Sequence, residues 1–151
     1  MFSSIGINMI KNKGFSLIEL VIVIAIMAVL IAVLAPQFIR YIEKSKQGKD
    51  ADAAGVIWRA VNIAMADESI SDRPNRFSDN IVSLDDGSMP DFADAIKEYI
   101  GDYTLADFKV RNVRSNAYKD SPIYVDIDAD IPLVRVTLSS NSVGVEDIVI
   151  E

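Results

Sequence analysis

From Phe15 to Ala35 the chain offers only two side chains that are not apolar, Ser16 and Glu19. As a helix rising about 1.5 Å per residue, this stretch is roughly 30 Å long, the thickness of a bilayer's hydrocarbon core. A helix apolar on every side has no polar face to show to water, so a soluble domain has little use for it. The stretch is a membrane segment first, whatever else it becomes.

Glu19 is the anomaly within it. A carboxylate inside a membrane helix costs about 2.5–3.5 kcal/mol on insertion scales, and such a residue usually has a function and a partner. No Lys, Arg or His lies between Phe15 and Ile39. The flanking cations are Lys11 and Lys13 on one side and Arg40 on the other. A cut after Gly14 creates a nearer one, the α-amine of Phe15. It stands four residues from Glu19, about one helical turn. The amine can pair with its own Glu19 or with Glu19 of a neighbouring copy.

Lys13-Gly14, then Phe15-Ser16-Leu17-Ile18-Glu19-Leu20 and the apolar run, resembles the processing and methylation site of type IV prepilins and pseudopilins. The resemblance spans residues 11–36. It implies that a membrane peptidase cleaves after Gly14 and that the new terminus, Phe15, is N-methylated. It further implies that Glu19 pairs with the terminal amine of an adjacent subunit while the helices bundle into a filament core. Pro36 stands where many of these proteins carry a helix-interrupting proline, and its ring crowds the carbonyl of Ala32, so a kink or a locally melted turn is expected there. The fold implied is α+β, type IV pilin-like: a long N-terminal helix packed on a C-terminal antiparallel β-sheet.

Residues 1–14 read as a leader peptide. An ordinary secretory signal fits poorly, because the apolar run exceeds the usual h-region and no small-residue cleavage site ends it. A start at Met9 instead of Met1 would shorten the leader to a length more typical of the family. Residues 15–36 are the membrane and filament-core helix. Loop charges do not settle its orientation, since Arg40, Lys44, Lys46 and Lys49 oppose Lys11 and Lys13. The resemblance puts the leader in the cytoplasm, with the C-terminal part outside. Residues 37–67 form the amphipathic half of the helix, with Phe38, Ile42, Ala53, Val56, Ile57, Ala60, Val61 and Ala64 at helical spacing. Gly48 weakens it locally. Trp58 reads as packing under a sheet.

Residues 68–103 are a polar connector with a short helix, Pro90 to Ile100, stopped by Gly101. From residue 104 to 151 the period changes to two, and an antiparallel sheet is expected. Its strands are Phe108–Val113, Ile123–Asp128, Leu133–Leu138 and Val143–Ile150.

The 151 residues include no Cys and no His and carry a net charge of −7. Lacking Cys, the head folds without the disulfide that many Gram-negative pilins use, a departure pointing towards a Gram-positive pilin or a pseudopilin. An acidic chain argues against nucleic-acid binding. Without His or Cys no nucleophile–base triad can form, and no phosphate loop follows a strand, so no enzyme activity is expected. Asp126, Asp128 and Asp130 alternate as oxygen ligands do at the start of a calcium loop, but Ile131 and Thr137 stand where a turn Gly and a bidentate Glu are needed. They read as a solvated strand face, and no cofactor is expected. The resemblance keeps calcium open, because major pseudopilins of secretion systems bind it near the C-terminus.

The reading as a whole is a structural filament subunit, made as a single-pass membrane precursor and ending in a surface pilus or a periplasmic or cell-wall fibre. Its partners are further copies of itself, the prepilin peptidase and methyltransferase, the membrane assembly platform and minor pilins. Two alternatives stand beside it: a pseudopilin of type II secretion or DNA uptake, and a single-pass membrane-anchored binding domain that is never cut and never polymerises.

Overall fold

The computed structural model describes residues 14–101, 104–128 and 133–151. The chain divides into two compact units, Met1–Ile39 and Arg40–Glu151. Helix α1 spans Leu17–Ala66 without a break, Pro36 included. In the first unit every described residue is exposed. None of the most apolar window of α1 is buried within the chain.

The second unit starts with the C-terminal half of α1. Asp50, Ala53, Ala54, Ile57, Ala60, Val61 and Ala64 are its buried residues. They recur three and four apart, so they form one stripe, and the small Ala side chains let neighbouring elements come close. Phe38 and Ile42, expected on the same apolar face, are instead exposed, at 66% and 43%. The first buried residue of the helix is Asp50.

After α1 come β1 (Arg76–Asn80), a 3-10 turn (Ile81–Asp86), α2 (Pro90–Ile100), α3 (Leu105–Asn112), β2 (Ile123–Asp128), β3 (Leu133–Leu138) and β4 (Ile148–Ile150). The strands form one antiparallel sheet in the order β1-β2-β3-β4. Alternation assigns the faces of β2: Ile123, Val125 and Ile127 are buried, while Tyr124, Asp126 and Asp128 face outward. Val136 and Leu138 of β3 complete the inner face and join the stripe of α1 in a single core. Trp58 packs on that core and its Nε1 donates to the Val134 carbonyl at 2.9 Å, tying helix to sheet. α2 starts with Pro90 in its first turn, and Gly101 closes it in the left-handed region at φ 71°.

Two features of the sheet depart from the sequence reading. The segment expected as a strand at Phe108–Val113 lies largely in α3. Leu105 and Phe108, three apart, are its buried residues, whereas Val110, which a strand would put beside Phe108, is 75% exposed. The Thr104 side chain caps this helix by accepting from the Asp107 amide at 3.0 Å. The sheet instead recruits β1 from the connector, paired so that Phe77 lies opposite Ile127. The last strand is also shorter than the expected Val143–Ile150, because Gly144 turns the chain at φ 81° and Val143 is fully exposed.

Carboxylates tie the connections together. Asp72 accepts from the amides of Asp91 and Phe92 at the start of α2. Asp85 accepts from Leu105 and Ala106 at the start of α3 and also pairs with Lys97 at 3.6 Å. Asp50, wholly buried in α1, accepts from the amides of Arg114 at 2.8 Å and Ser115 at 3.0 Å. Amide donors at helix starts and in turns have no partner within their own element, and a carboxylate satisfies two at once.

Candidate assembly segment at the N-terminus

Gly14 lies outside any regular element, and Phe15 is 86% exposed. α1 begins just beyond, and two side chains organise its first turn. The Ser16 hydroxyl accepts from the Ile18 amide at 3.3 Å. The Glu19 carboxylate turns back and accepts from the Ser16 amide at 2.8 Å. This is a capping box, in which a residue at the helix boundary and an acid three positions later satisfy free amides of the first turn. The positive end of the helix dipole also favours a carboxylate there. The sequence reading missed it, although Ser-x-x-Glu before an apolar run is its signature.

Glu19 thus has an acceptor role even with residues 14 and 15 joined. A carboxylate offers two oxygens and about four lone-pair positions, so the Ser16 amide leaves room for a further donor. Past Glu19 no cation follows on α1 before Arg40. The remaining leader residues, 1–13, lie outside the described residues. At Pro36 the helix lacks one backbone donor, yet it continues unbroken, so no melted turn interrupts it there.

Two of the metal candidates have protein partners. The Ser78 hydroxyl donates to Asp126 at 2.5 Å across the β1–β2 pair. Arg76 reaches Asp128 at 3.7 Å. Asp130 lies outside the described residues. Among the described residues no group of three or more acidic side chains is gathered as a metal site.

Two titrating groups in the second unit are displaced from their ordinary values. Asp67, just past α1, is held low, first by the Ser69 hydroxyl and then by the Ser69 amide. Tyr118 is pushed up by burial and then by the negative charges of Asp147, Asp50 and Glu146. Its hydroxyl donates to the Glu146 carbonyl.

An unburied apolar half-helix opens on a capped Ser-Leu-Ile-Glu turn, and the chain goes on to an α+β unit. Comparison with known proteins finds pilin-type similarity confined to part of the chain. Residues 9–35 match the family model for the prokaryotic N-terminal methylation motif. The chain is 42% identical over 62 residues to the prepilin peptidase-dependent protein A of Clostridium perfringens, covering 40% of this chain and 44% of that one. It is 49% identical over 39 residues to the type IV major pilin protein PilA of Myxococcus xanthus, covering 26% of this chain and 18% of that one. These matches span less than half the length of either relative. No solved structure matches the chain. The motif and the relatives support a type IV pilin-like or pseudopilin-like family for this protein.

Proposed function

We propose that this protein is a structural subunit of a type IV pilus-like filament. The observation that carries the reading is the exposure of the whole apolar half of α1 behind a methylation motif. Apolar surface left open to water costs about 25 cal/mol per Å², so this half must be covered by lipid or by other chains. The precursor waits in the membrane with the helix inserted. A prepilin peptidase cuts after Gly14, and Phe15 becomes the methylated terminus; the peptidase-dependent relative supports this step. An assembly platform and minor pilins then bring copies together, in keeping with the major-pilin relative.

Glu19 acts in docking. Its carboxylate holds the Ser16 amide of its own chain and takes the Phe15 amine of the neighbour, so neither charge is left bare in a low-dielectric setting. Contacts along residues 15–35 hold the core, and Pro36 lets the helix bend as copies pack. The subunit has no enzymatic role.

Mass spectrometry of the N-terminus tests the reading. The expected product starts at a methylated Phe15 and comes from a filament fraction. A chain recovered with Gly14 still joined to Phe15, and never polymeric, overturns it.

A further inference from the structure

The second unit carries a groove of about 540 Å³ where α1 meets α3. Val56 and the ring of Phe108 give it an apolar floor, and Lys46, Lys49, Arg111 and Arg114 stand around it. Asp52 is the exposed acid of the lining, since Asp50 is covered and holds two backbone amides. The rim is therefore cationic in a chain whose net charge is −7.

A surface of opposite sign lies on α2. Asp91, Asp94 and Glu98, three and four apart, share its exposed face, opposite the buried Phe92, Ala93 and Ile96. Tyr99, which follows Glu98 at the edge between this face and the buried one, is 46% exposed. Asp94 pairs with Lys97 at 3.2 Å yet stays 76% exposed, and Asp91 accepts from the Ser71 hydroxyl. The stripe and the groove share no residue.

We infer that the groove of one copy receives the acidic stripe of α2 from a second copy. The Tyr99 ring supplies apolar area for the floor, and the charges steer the approach and fix the register. Two different patches that fit each other form a head-to-tail contact, which propagates into an open helical polymer when the rotation does not close into a ring. This contact rests on the filament reading and deepens it: residues 15–35 supply cohesion, and groove and stripe align the outer units.

Paired cysteines test it cleanly, because the chain has none of its own. In full-length protein from producing cells, Arg111→Cys with Asp94→Cys should give an intermolecular disulfide ladder on oxidation, and neither single variant should. Lys49→Glu with Arg111→Glu should lower polymer yield about tenfold, and adding Asp94→Lys with Glu98→Lys should restore it. These side chains are exposed, and the restoration separates a lost contact from a misfolded chain. Wild-type polymer from the groove variant with no ladder overturns the inference. So does a loss of polymer that the stripe variant does not repair, which would mean a lipid or another subunit occupies the groove. Failure of the filament reading is distinct: the unsubstituted chain then forms no polymer at all.

Discussion

The Glu19 carboxylate and the Ser16 amide stand 2.8 Å apart, so the acid placed in the apolar helix also caps it. Charge and capping are separable by substitution. Glu19→Gln keeps an oxygen for the Ser16 amide and loses the charge. It should insert in membranes normally and give few filaments. Glu19→Ala loses both and adds a capping penalty of about 1 kcal/mol. Membrane extraction together with filament counts by microscopy reads the two effects apart, and equal wild-type filament yields would remove Glu19 from assembly.

Asp50 should be among the most sensitive positions of the second unit. Asp50→Ala leaves the amides of Arg114 and Ser115 without their acceptor, one of them at a buried residue. A loss of about 2–4 kcal/mol is expected in denaturant titration. Asp52→Ala, on the exposed side of the same turn, should stay within about 0.5 kcal/mol of the parent.

Trp58 gives a milder test of the helix–sheet tie. Trp58→Phe removes the donor to the Val134 carbonyl and should cost about 1 kcal/mol. Trp58→Ala, which also strips the ring from the core, should cost about 3–5 kcal/mol. Equal costs would show that the hydrogen bond carries the contact and the ring does not.

Tyr118 sets an alkaline limit. Its folded-state value lies above the ordinary 10.0, chiefly through burial. The unfolded chain therefore ionises first as pH rises. The stability due to the neutral phenol is whole below about 10 and is lost as pH climbs through the folded value. Melting curves from pH 9 to 11.5 should fall for the parent more steeply than for Tyr118→Phe; parallel curves would contradict this.

Calcium should not stabilise the outer sheet face. Asp126 already holds Ser78, and Asp128 holds Arg76. Millimolar calcium is expected to leave Tm unchanged, and a rise that Asp126→Asn with Asp128→Asn abolishes would establish a site there.

Much of the fold was legible in the sequence, and the exceptions have physical causes. Ala53 to Ala64 announced the buried stripe because helical periodicity survives in a one-sided helix. β2 was plain because its apolar and polar residues alternate strictly. α3 was misread because Phe108, Val110 and Val113 suit either period over so short a span, and the Thr104 cap was overlooked. β1 holds a single apolar residue, Phe77, so β2 rather than its own pattern makes it a strand. In the candidate assembly segment Glu19 stood out by its charge and Gly14 and Phe15 by resemblance, while the Ser16 half of the cap went unread. The Asp50 clamp spans 64 residues, and no local pattern can announce a contact that long.

The sheet ends on meagre margins. β4 has three residues, and β1 carries Arg76 and Asp79 in the open. A brief or charged border is a poor template for a stranger's backbone. Copies of this protein can therefore be crowded together without their sheets knitting into amyloid.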